Sequence, residues 1–239
     1  MFKSSSRLHL AALAFILGWQ GNLLAAPVRF LAWNDEIAAR KIGFQSAKGN
    51  IPIQNLHPNK RTDPMDGGSG EVPVQLVALD RAPTDGKPVA VEIKMPAGLK
   101  SPLVLILPDP KNPTGLRPFV IEEASANFGW GKIRFVNATG KALLVKQDKS
   151  ITALPETWTP VDVDPGGSAR NIAVQLAAKD DLKTVIYSAV WEHDPDVRKL
   201  VFILPGKEGS IGGVEFKIIP ENKRIVAAEA AVAAEPAAP

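Results

Sequence analysis

The sequence predicts an all-β fold: two tandem β-sandwich domains related by internal duplication, after an N-terminal signal peptide. Three observations lead to this prediction. The first 26 of the 239 residues have the layout of a secretory signal. The remainder consists of short apolar segments separated by turn residues. Several of these segments recur in the same order about a hundred residues later, which is typical of a duplicated domain.

Residues 1–26 are excluded from the predicted fold because they have the three parts of a signal peptide. Lys3 and Arg7 precede an apolar run from Leu8 to Trp19, and small residues follow that run. The run is shorter than the roughly 20 apolar residues that a membrane-spanning helix needs. We therefore expect cleavage and no membrane span.

The cleavage site and the cysteine content indicate the compartment. Cleavage is expected after Ala25 or Ala26, which leaves a periplasmic or secreted protein. The chain contains no cysteine, whereas small secreted eukaryotic domains usually carry disulfides, so a bacterial periplasm is favoured. The net charge of +3 falls by two when the two basic residues of the signal are removed. The charge therefore gives no reason to expect a nucleic-acid partner.

The internal duplication depends on four pairs of matching segments that keep their order. The pairs are 28–31 with 133–136, 67–69 with 166–168, 72–80 with 172–180, and 103–108 with 200–205. An ordered series of matches predicts a duplicated domain of common size.

The boundaries of the units follow from these matches and from composition. The predicted units are a first sandwich over 27–123, a linker over 124–131, a second sandwich over 132–221, and a flexible Ala/Glu/Pro tail over 222–239. Because the linker is short, we expect the two sandwiches to sit end to end.

The second half shows the strand pattern most clearly. Strands are predicted near 132–137, 141–147, 150–154, 159–163, 171–178, 182–191, 199–204 and 213–219. The run Thr184–Trp191 is rich in β-branched and aromatic residues and is predicted to be a central strand. Seven or so strands in about ninety residues are typical of an immunoglobulin-like sandwich, an expectation about architecture because the cysteine pair of that family is absent.

The sequence contains no recognised catalytic constellation. Outside the signal, the only histidines are His57 and His193, and there is no Gly-x-Ser-x-Gly elbow or phosphate-binding loop. The run Glu192–Asp196 combines one histidine with carboxylates, but without a distant partner ligand it is interpreted as a solvated turn. We therefore predict a protein that is not an enzyme and holds no metal or cofactor.

Two groups of residues are candidates for binding. The polar loop between Gln54 and Glu71 interrupts the pattern of the first half, and loops on rigid sandwiches often carry binding sites. Its candidate side chains are His57, Lys60, Arg61, Asp63 and Asp66. The same loop also fits an ordinary surface connection.

The second group is aromatic. Trp130 and Trp158 flank turns and glycines, whereas Trp33 and Trp191 lie within apolar strands and are expected in the core. An exposed pair of indole rings offers flat faces and donors on which sugar rings can stack. Trp130 and Trp158 are therefore the candidates for such a surface.

These observations lead to three functional hypotheses. The first is a non-enzymatic interaction or scaffolding protein of the bacterial cell envelope, with an envelope protein as partner. The alternative is a carbohydrate-binding accessory module that uses exposed tryptophans to hold a polysaccharide. The third is an enzyme with an unfamiliar carboxylate site, which would need a concave pocket holding several acidic residues.

Overall fold

The computed structural model describes residues 26–46, 49–66, 74–124, 126, 128–207 and 209–234. Apart from Ala26, the predicted signal peptide lies outside the described residues. Within them the chain is all-β, with fifteen strands in four sheets, two helices and one 3-10 turn. No helix in this part of the chain has the length and apolar character needed to cross a membrane.

The first half contains seven strands and one short helix. The strands are β1 (Arg29–Ala32), β2 (Ile42–Ser46), β3 (Gly49–Pro52), β4 (Gln75–Ala78), β5 (Ala90–Glu92), β6 (Pro102–Pro108) and β7 (Leu116–Glu122). Helix α1 (Asp35–Ala38) follows β1, and the side chain of Asn34 caps it by accepting a hydrogen bond from the backbone N–H of Ile37.

The second half contains eight strands, a 3-10 turn and a helix. The strands are β8 (Ile133–Asn137), β9 (Leu143–Gln147), β10 (Ser150–Leu154), β11 (Val161–Val163), β12 (Arg170–Ala178), β13 (Asp181–His193), β14 (Val197–Pro205) and β15 (Val214–Asn222). The 3-10 turn (Ile211–Gly213) precedes β15, and helix α2 (Lys223–Ala234) follows it.

All eight strands predicted for the second half are present, with ends within three residues of the predicted ones. Turn residues set these ends. Gly140, between β8 and β9, has a φ of 72°, which glycine adopts because it has no Cβ. The alternation of apolar residues and the turn residues were therefore sufficient to locate the strands.

The two halves share one strand order. The first half has the sheets β1-β6-β7 and β3-β2-β4-β5, and the second has β11-β8-β14-β15 and β10-β9-β12-β13. In the first half β1 lies parallel to β6, and in the second half β8 lies parallel to β14. The register also repeats, because Arg29 pairs with Leu103 and Arg134 pairs with Leu200. Both pairs join segments that match in sequence.

The division of strands between the sheets differs from that of an immunoglobulin constant domain. There, the first, second, fourth and fifth strands form one sheet and the third, sixth and seventh form the other. Here β1 joins β6 and β7, whereas β3 joins β2, β4 and β5. The two-layer sandwich is as predicted, but the first and third strands have exchanged sheets relative to that pattern.

The halves pack through their sheets and not end to end, so the expected arrangement is wrong. Alternate side chains of β6 point to opposite sides: Val104 and Ile106 enter the core of the first sandwich, while Leu103 and Leu105 enter a separate core between the halves. Phe202 of β14 enters the same central core. Because β6 and β14 are apolar on both faces, the two inner sheets bury each other and four layers of sheet result. We call this central contact the seam.

The connector contributes a buried residue to the seam, and much of the tail is helical. Phe128, in the predicted linker, is fully buried in the seam. The predicted flexible tail begins with the last residue of β15 and continues as helix α2 up to Ala234. Alanine has the highest helix propensity, which favours this helix, and Glu229 on α2 forms an exposed ion pair with Lys60 of the first half (2.7 Å). Residues 235–239 lie outside the described part.

The run Thr184–Trp191 is not a central strand, so this prediction is wrong. It belongs to β13, which stands at the end of its sheet beside β12. Val185 and Val190 project from the outer face, where they are 49% and 68% exposed, whereas Trp191 points into the core. The apolar run reflects an outer face with unusually apolar side chains, which periodicity alone cannot distinguish from burial on both faces.

Candidate functional site

A cluster of charged side chains is buried in the seam. Glu123 lies just after β7, and Glu221 lies at the corresponding point of β15. The Glu123 carboxylate accepts hydrogen bonds from Arg61 (Nη2–Oε1 2.6 Å, Nε–Oε2 2.9 Å) and from Arg29 (Nη2–Oε2 3.2 Å). Glu221 accepts from Arg29 (Nη1–Oε1 2.8 Å) and from Arg198 (Nε–Oε2 2.6 Å). Arg29 therefore bridges a carboxylate from each half.

Burial and charge compete within this cluster. Burial is the largest effect on the Arg61 guanidinium and lowers its pKa, but Glu123 and Glu221 outweigh burial and raise that pKa above its ordinary value. Burial likewise raises the pKa of Glu221, but Arg61, Arg29 and Arg198 together hold it below its ordinary value. The seam thus stabilises the charged forms of Arg61 and Glu221. At Arg198, by contrast, burial outweighs the nearby carboxylates and lowers the pKa of the guanidinium.

The connector contributes aromatic rings to the same region. The guanidinium of Arg198 lies 5.0 Å from the ring centroids of both Phe128 and Trp130, and that of Arg134 lies 4.5 Å from Phe128. Arg198 also donates to the Phe128 carbonyl oxygen (Nη1–O 3.0 Å). Trp130, predicted as part of a sugar platform, is half-buried, and a cation already lies over its ring.

Trp158 lies further along the seam, in a cluster of aromatic rings. Its ring centroid is 5.3 Å from that of Phe119, 6.2 Å from Trp33 and 6.3 Å from Phe202. The Arg117 guanidinium lies 5.7 Å from the Trp158 ring. Trp158 has a φ of 58°, which is rare for a bulky residue and persists only where the surroundings hold it. Trp158 joins the two halves and is half-buried.

The polar loop of the first half runs alongside β1. Met65 forms an antiparallel bridge with Val28, and the Thr62 N–H donates to the Phe30 carbonyl oxygen (2.9 Å). In the second half β11 occupies this place, with Val163 opposite Ile133. The loop therefore completes a sheet edge without forming a regular strand.

The candidate residues of this loop divide into buried and exposed groups. Arg61 is buried and belongs to the seam cluster. His57 and Lys60 are exposed, and His57 Nδ1 accepts from the Asn59 N–H (3.0 Å). Asp63 and Asp66 are exposed as well. Residues 67–71 of the predicted loop lie outside the described part.

The outer face of the sheet β10-β9-β12-β13 carries exposed apolar side chains, and the strand register shows which of them lie beside one another. The register places Ile151 beside Lys146 in one row and Ala153 beside Leu144 in the next. Val185 and Val190 stand on the same face, opposite small side chains of β12. Ile151 is 64% exposed. This face therefore combines exposed aliphatic and small side chains with a polar row of Lys146, Gln175 and Ser188, and the sequence analysis missed it because it assigned β13 to the interior.

The run Glu192–Asp196 is not simply solvated. His193 is 3% exposed, and its Nε2 has no hydrogen-bond partner in the described structure. The Cε1 of His193 lies against Gly131, where an added Cβ would be 3.5 Å away. Within the described ranges, no three His, Asp or Glu side chains are grouped so that they could hold a metal ion.

Comparisons with known proteins do not assign the chain to a family. No protein-family model matches it. No curated protein matches it at a significant level. The class of protein is therefore defined by its fold and surfaces: a β-sandwich-like, all-β protein with a charged cluster in the seam and exposed aliphatic side chains on an outer face.

Proposed function

We propose that this protein is a non-enzymatic interaction or scaffolding module of the bacterial cell envelope, which binds a partner protein through the outer face of the sheet β10-β9-β12-β13. The observation that carries the proposal is the exposure of Ile151, Val185 and Val190 on one face of this sheet. The row formed by Ala153, Leu144, Ala177 and Val185 is apolar across all four strands, and exposed apolar groups bordered by polar ones mark interaction surfaces.

The seam supports a scaffolding role. Arg29 and the central apolar core join the two inner sheets. The position and orientation of the two outer sheets relative to each other are therefore fixed. A rigid surface loses little conformational entropy on binding, which favours association.

The proposal includes origin and location. We infer that the halves arose by duplication of one sandwich of immunoglobulin-like architecture, since strand order and register repeat. We further propose that residues 1–26 are a signal peptide and that the mature chain is periplasmic or secreted.

A charge placed on the outer face tests the proposed surface. The chain from Pro27 onward is immobilised and exposed to bacterial envelope extract, in wild-type form and with Val190→Asp or Val232→Asp. Val232, on α2, is 72% exposed and is the matched control for Val190. We expect Val190→Asp to abolish retention of a specific protein, because a carboxylate would be desolvated in the interface. Equal retention by both variants would contradict the proposed surface.

Polysaccharide binding remains the alternative, and Trp158 discriminates between the two. Because Trp158 packs against Trp33, Phe119 and Phe202, we expect Trp158→Ala to lower the melting temperature. Retention on immobilised polysaccharide should not depend on this residue. Loss of polysaccharide retention in Trp158→Ala at an unchanged melting temperature would place the alternative first.

A further inference from the structure

An open cleft of about 660 Å³ lies beside helix α1 in the first half. It is bounded by the residues after α1, including Arg40 and Lys41, and by the turn after β4, including Asp80 and Arg81. Its volume is within the range of small-ligand sites. The Leu79 N–H donates to the Lys41 carbonyl oxygen (2.9 Å) and closes the backbone at its base.

Two guanidinium groups converge at one edge of this cleft. A Cβ added to Gly115 would lie 2.7 Å from Arg81 Nη2 and 3.2 Å from Arg40 Nη1. Arg81 Nη2 and Arg40 Nη1 are therefore at most about 5.9 Å apart. Gly115 has a φ of 71°, so glycine provides both the turn and the space between the two arginines.

The converging nitrogens are the donors that the protein itself leaves unused. Arg40 donates to both oxygens of Asp80 through Nε and Nη2 (2.8 Å each), and Arg81 donates to the Pro113 carbonyl oxygen through Nη1. Within the described residues, Arg40 Nη1 and Arg81 Nη2 have no acceptor. Asp80 already pairs with Arg40, so the charge that has no close carboxylate partner in the described part of the chain is that of Arg81, and an anion beside the two nitrogens would pair with it.

The turn that presents Gly115 is held by its own hydrogen bonds. The Thr114 hydroxyl donates to Asn112 Oδ1 (2.6 Å), and Thr114 is fully buried. The Gly115 N–H donates to the Asn112 carbonyl oxygen (2.7 Å), and the Gly115 carbonyl oxygen accepts from the Asp109 N–H (2.9 Å). The backbone beneath the two guanidinium groups is therefore fixed before any ligand arrives.

We propose that Arg40 and Arg81 form a binding site for an oxyanion, in which Arg40 Nη1 and Arg81 Nη2 donate to a carboxylate, sulfate or phosphate group held over Gly115. Guanidinium groups suit such ligands because their planar N–H donors match the geometry of oxyanions. The oxyanion belongs either to a small free ion or to an acidic polymer, and both sources present the same group to the site.

The second half contains a comparable cleft that serves as an internal control. It measures about 540 Å³ and lies at the matching place, where the Lys179 N–H donates to the Ala142 carbonyl oxygen (3.0 Å). Its cations are Lys141 and Lys179, with Asp180 at the position that matches Asp80. Because lysine lacks the planar fork of donors, we expect the second cleft to bind the same anion more weakly.

Isothermal titration calorimetry of the chain from Pro27 onward tests the site. The probes are inorganic phosphate, inorganic sulfate and an oligogalacturonate. The variants are Arg81→Gln, Arg81→Lys and, as a control with the same loss of charge, Lys179→Gln. We expect Arg81→Gln to weaken binding about tenfold or more, since a charge-assisted hydrogen bond is lost. Arg81→Lys should weaken it less, and Lys179→Gln should leave it within about twofold of wild type.

The probes distinguish the two sources of the oxyanion. Tighter binding of the oligogalacturonate than of both inorganic ions would support the site and assign an acidic polymer, whereas the reverse order would support it and assign a free ion. Absence of saturable binding by wild type to all probes would overturn the proposal. Equal weakening by Arg81→Gln and Lys179→Gln would overturn it as well. Arg81 lies in the first half, outside the sheet that carries Val190, so the result with the Arg81 variants is independent of the partner-binding proposal.

Discussion

At the scale of single residues, three arginines share two carboxylates in the seam. Arg29, Arg61 and Arg198 surround Glu123 and Glu221, and the Glu123 side chain is 0% exposed. Removing one member of such a set leaves a buried charge without a partner. The resulting loss of stability is larger than the net stabilisation that the intact pair gives relative to apolar residues. The cluster therefore fixes how the halves meet and makes the arrangement sensitive to its charge state.

Glu221 makes this sensitivity measurable through pH. Its pKa in the folded protein is held below the ordinary value of 4.5. The stabilisation is therefore complete above about pH 4.5 and is lost as the pH falls through the folded-state pKa. We expect Glu221→Gln to lower the free energy of unfolding by about 3 kcal/mol at neutral pH, and by progressively less as the pH falls below 4.5. Urea denaturation across this range measures the difference.

The control for this prediction is Glu229→Gln on α2, where the carboxylate pairs with Lys60 at the surface. Exposed pairs contribute little, so the free energy of unfolding should match that of wild type at each pH. A difference between wild type and Glu221→Gln that stays constant as the pH falls would contradict the proposed role of the carboxylate.

The seam cluster shows where residue-level prediction from the sequence ends. Arg61 was a candidate for binding because its neighbours in the chain are polar, but its partner Glu123 is 62 residues away. Trp158 was a candidate because it flanks a turn, but it packs against Trp33 and Phe119 of the other half. The sequence pattern around a residue describes only its neighbours along the chain. The burial of Arg61 and Trp158 depends instead on contacts between the two halves.

At the scale of elements, β13 is an edge strand that is covered over part of its length. The 3-10 turn at Ile211–Gly213 lies against it, and an added Cβ on Gly212 would collide with the carbonyl oxygen of Ile186. Uncovered edges invite pairing with other chains, so a turn laid on the edge protects it. Gly212 allows the close approach.

Two adjacent glycines allow this close approach to be tested. Gly212 and Gly213 have φ values of 64° and 66°, but an added Cβ on Gly213 would have no neighbour within 4 Å. Alanine at either position incurs roughly 1 kcal/mol of backbone strain. Gly212→Ala must also push the turn away from Ile186, so we expect a larger loss of stability and faster amide exchange around Ile186. Equal losses in the two variants would rule out the close contact as a source of stability.

The elements divide into those that the sequence predicts and those that it does not. The strands of the second half were predictable because side-chain alternation and turn residues are local. The position of β13 was not, because Val185 and Val190 are apolar and yet exposed. The extent of helix α2 was not predicted, because the composition of 222–239 suggested a flexible tail. In the structure Glu229 and Arg224 of this helix form exposed ion pairs with Lys60 and Asp196.

At the scale of the whole molecule, the seam unites the two sandwiches in four layers. Leu105 and Phe202 lie in one central core, and Arg29 links carboxylates of both halves. The sequence predicted the repeat but not this packing. An apolar run such as β6 can pack one face or both faces into a hydrophobic core. The sequence of the run does not show which, because this depends on the sheets packed against it. The proposed scaffolding role depends on the seam, because the outer sheets keep their relation only while it holds.

Differential scanning calorimetry of the chain from Pro27 onward tests this claim most directly. If the seam makes the two sandwiches one cooperative unit, the protein unfolds in a single transition whose calorimetric and van't Hoff enthalpies agree. Two separate transitions, or a calorimetric enthalpy about twice the van't Hoff value, would show that the sandwiches unfold independently and would contradict the account.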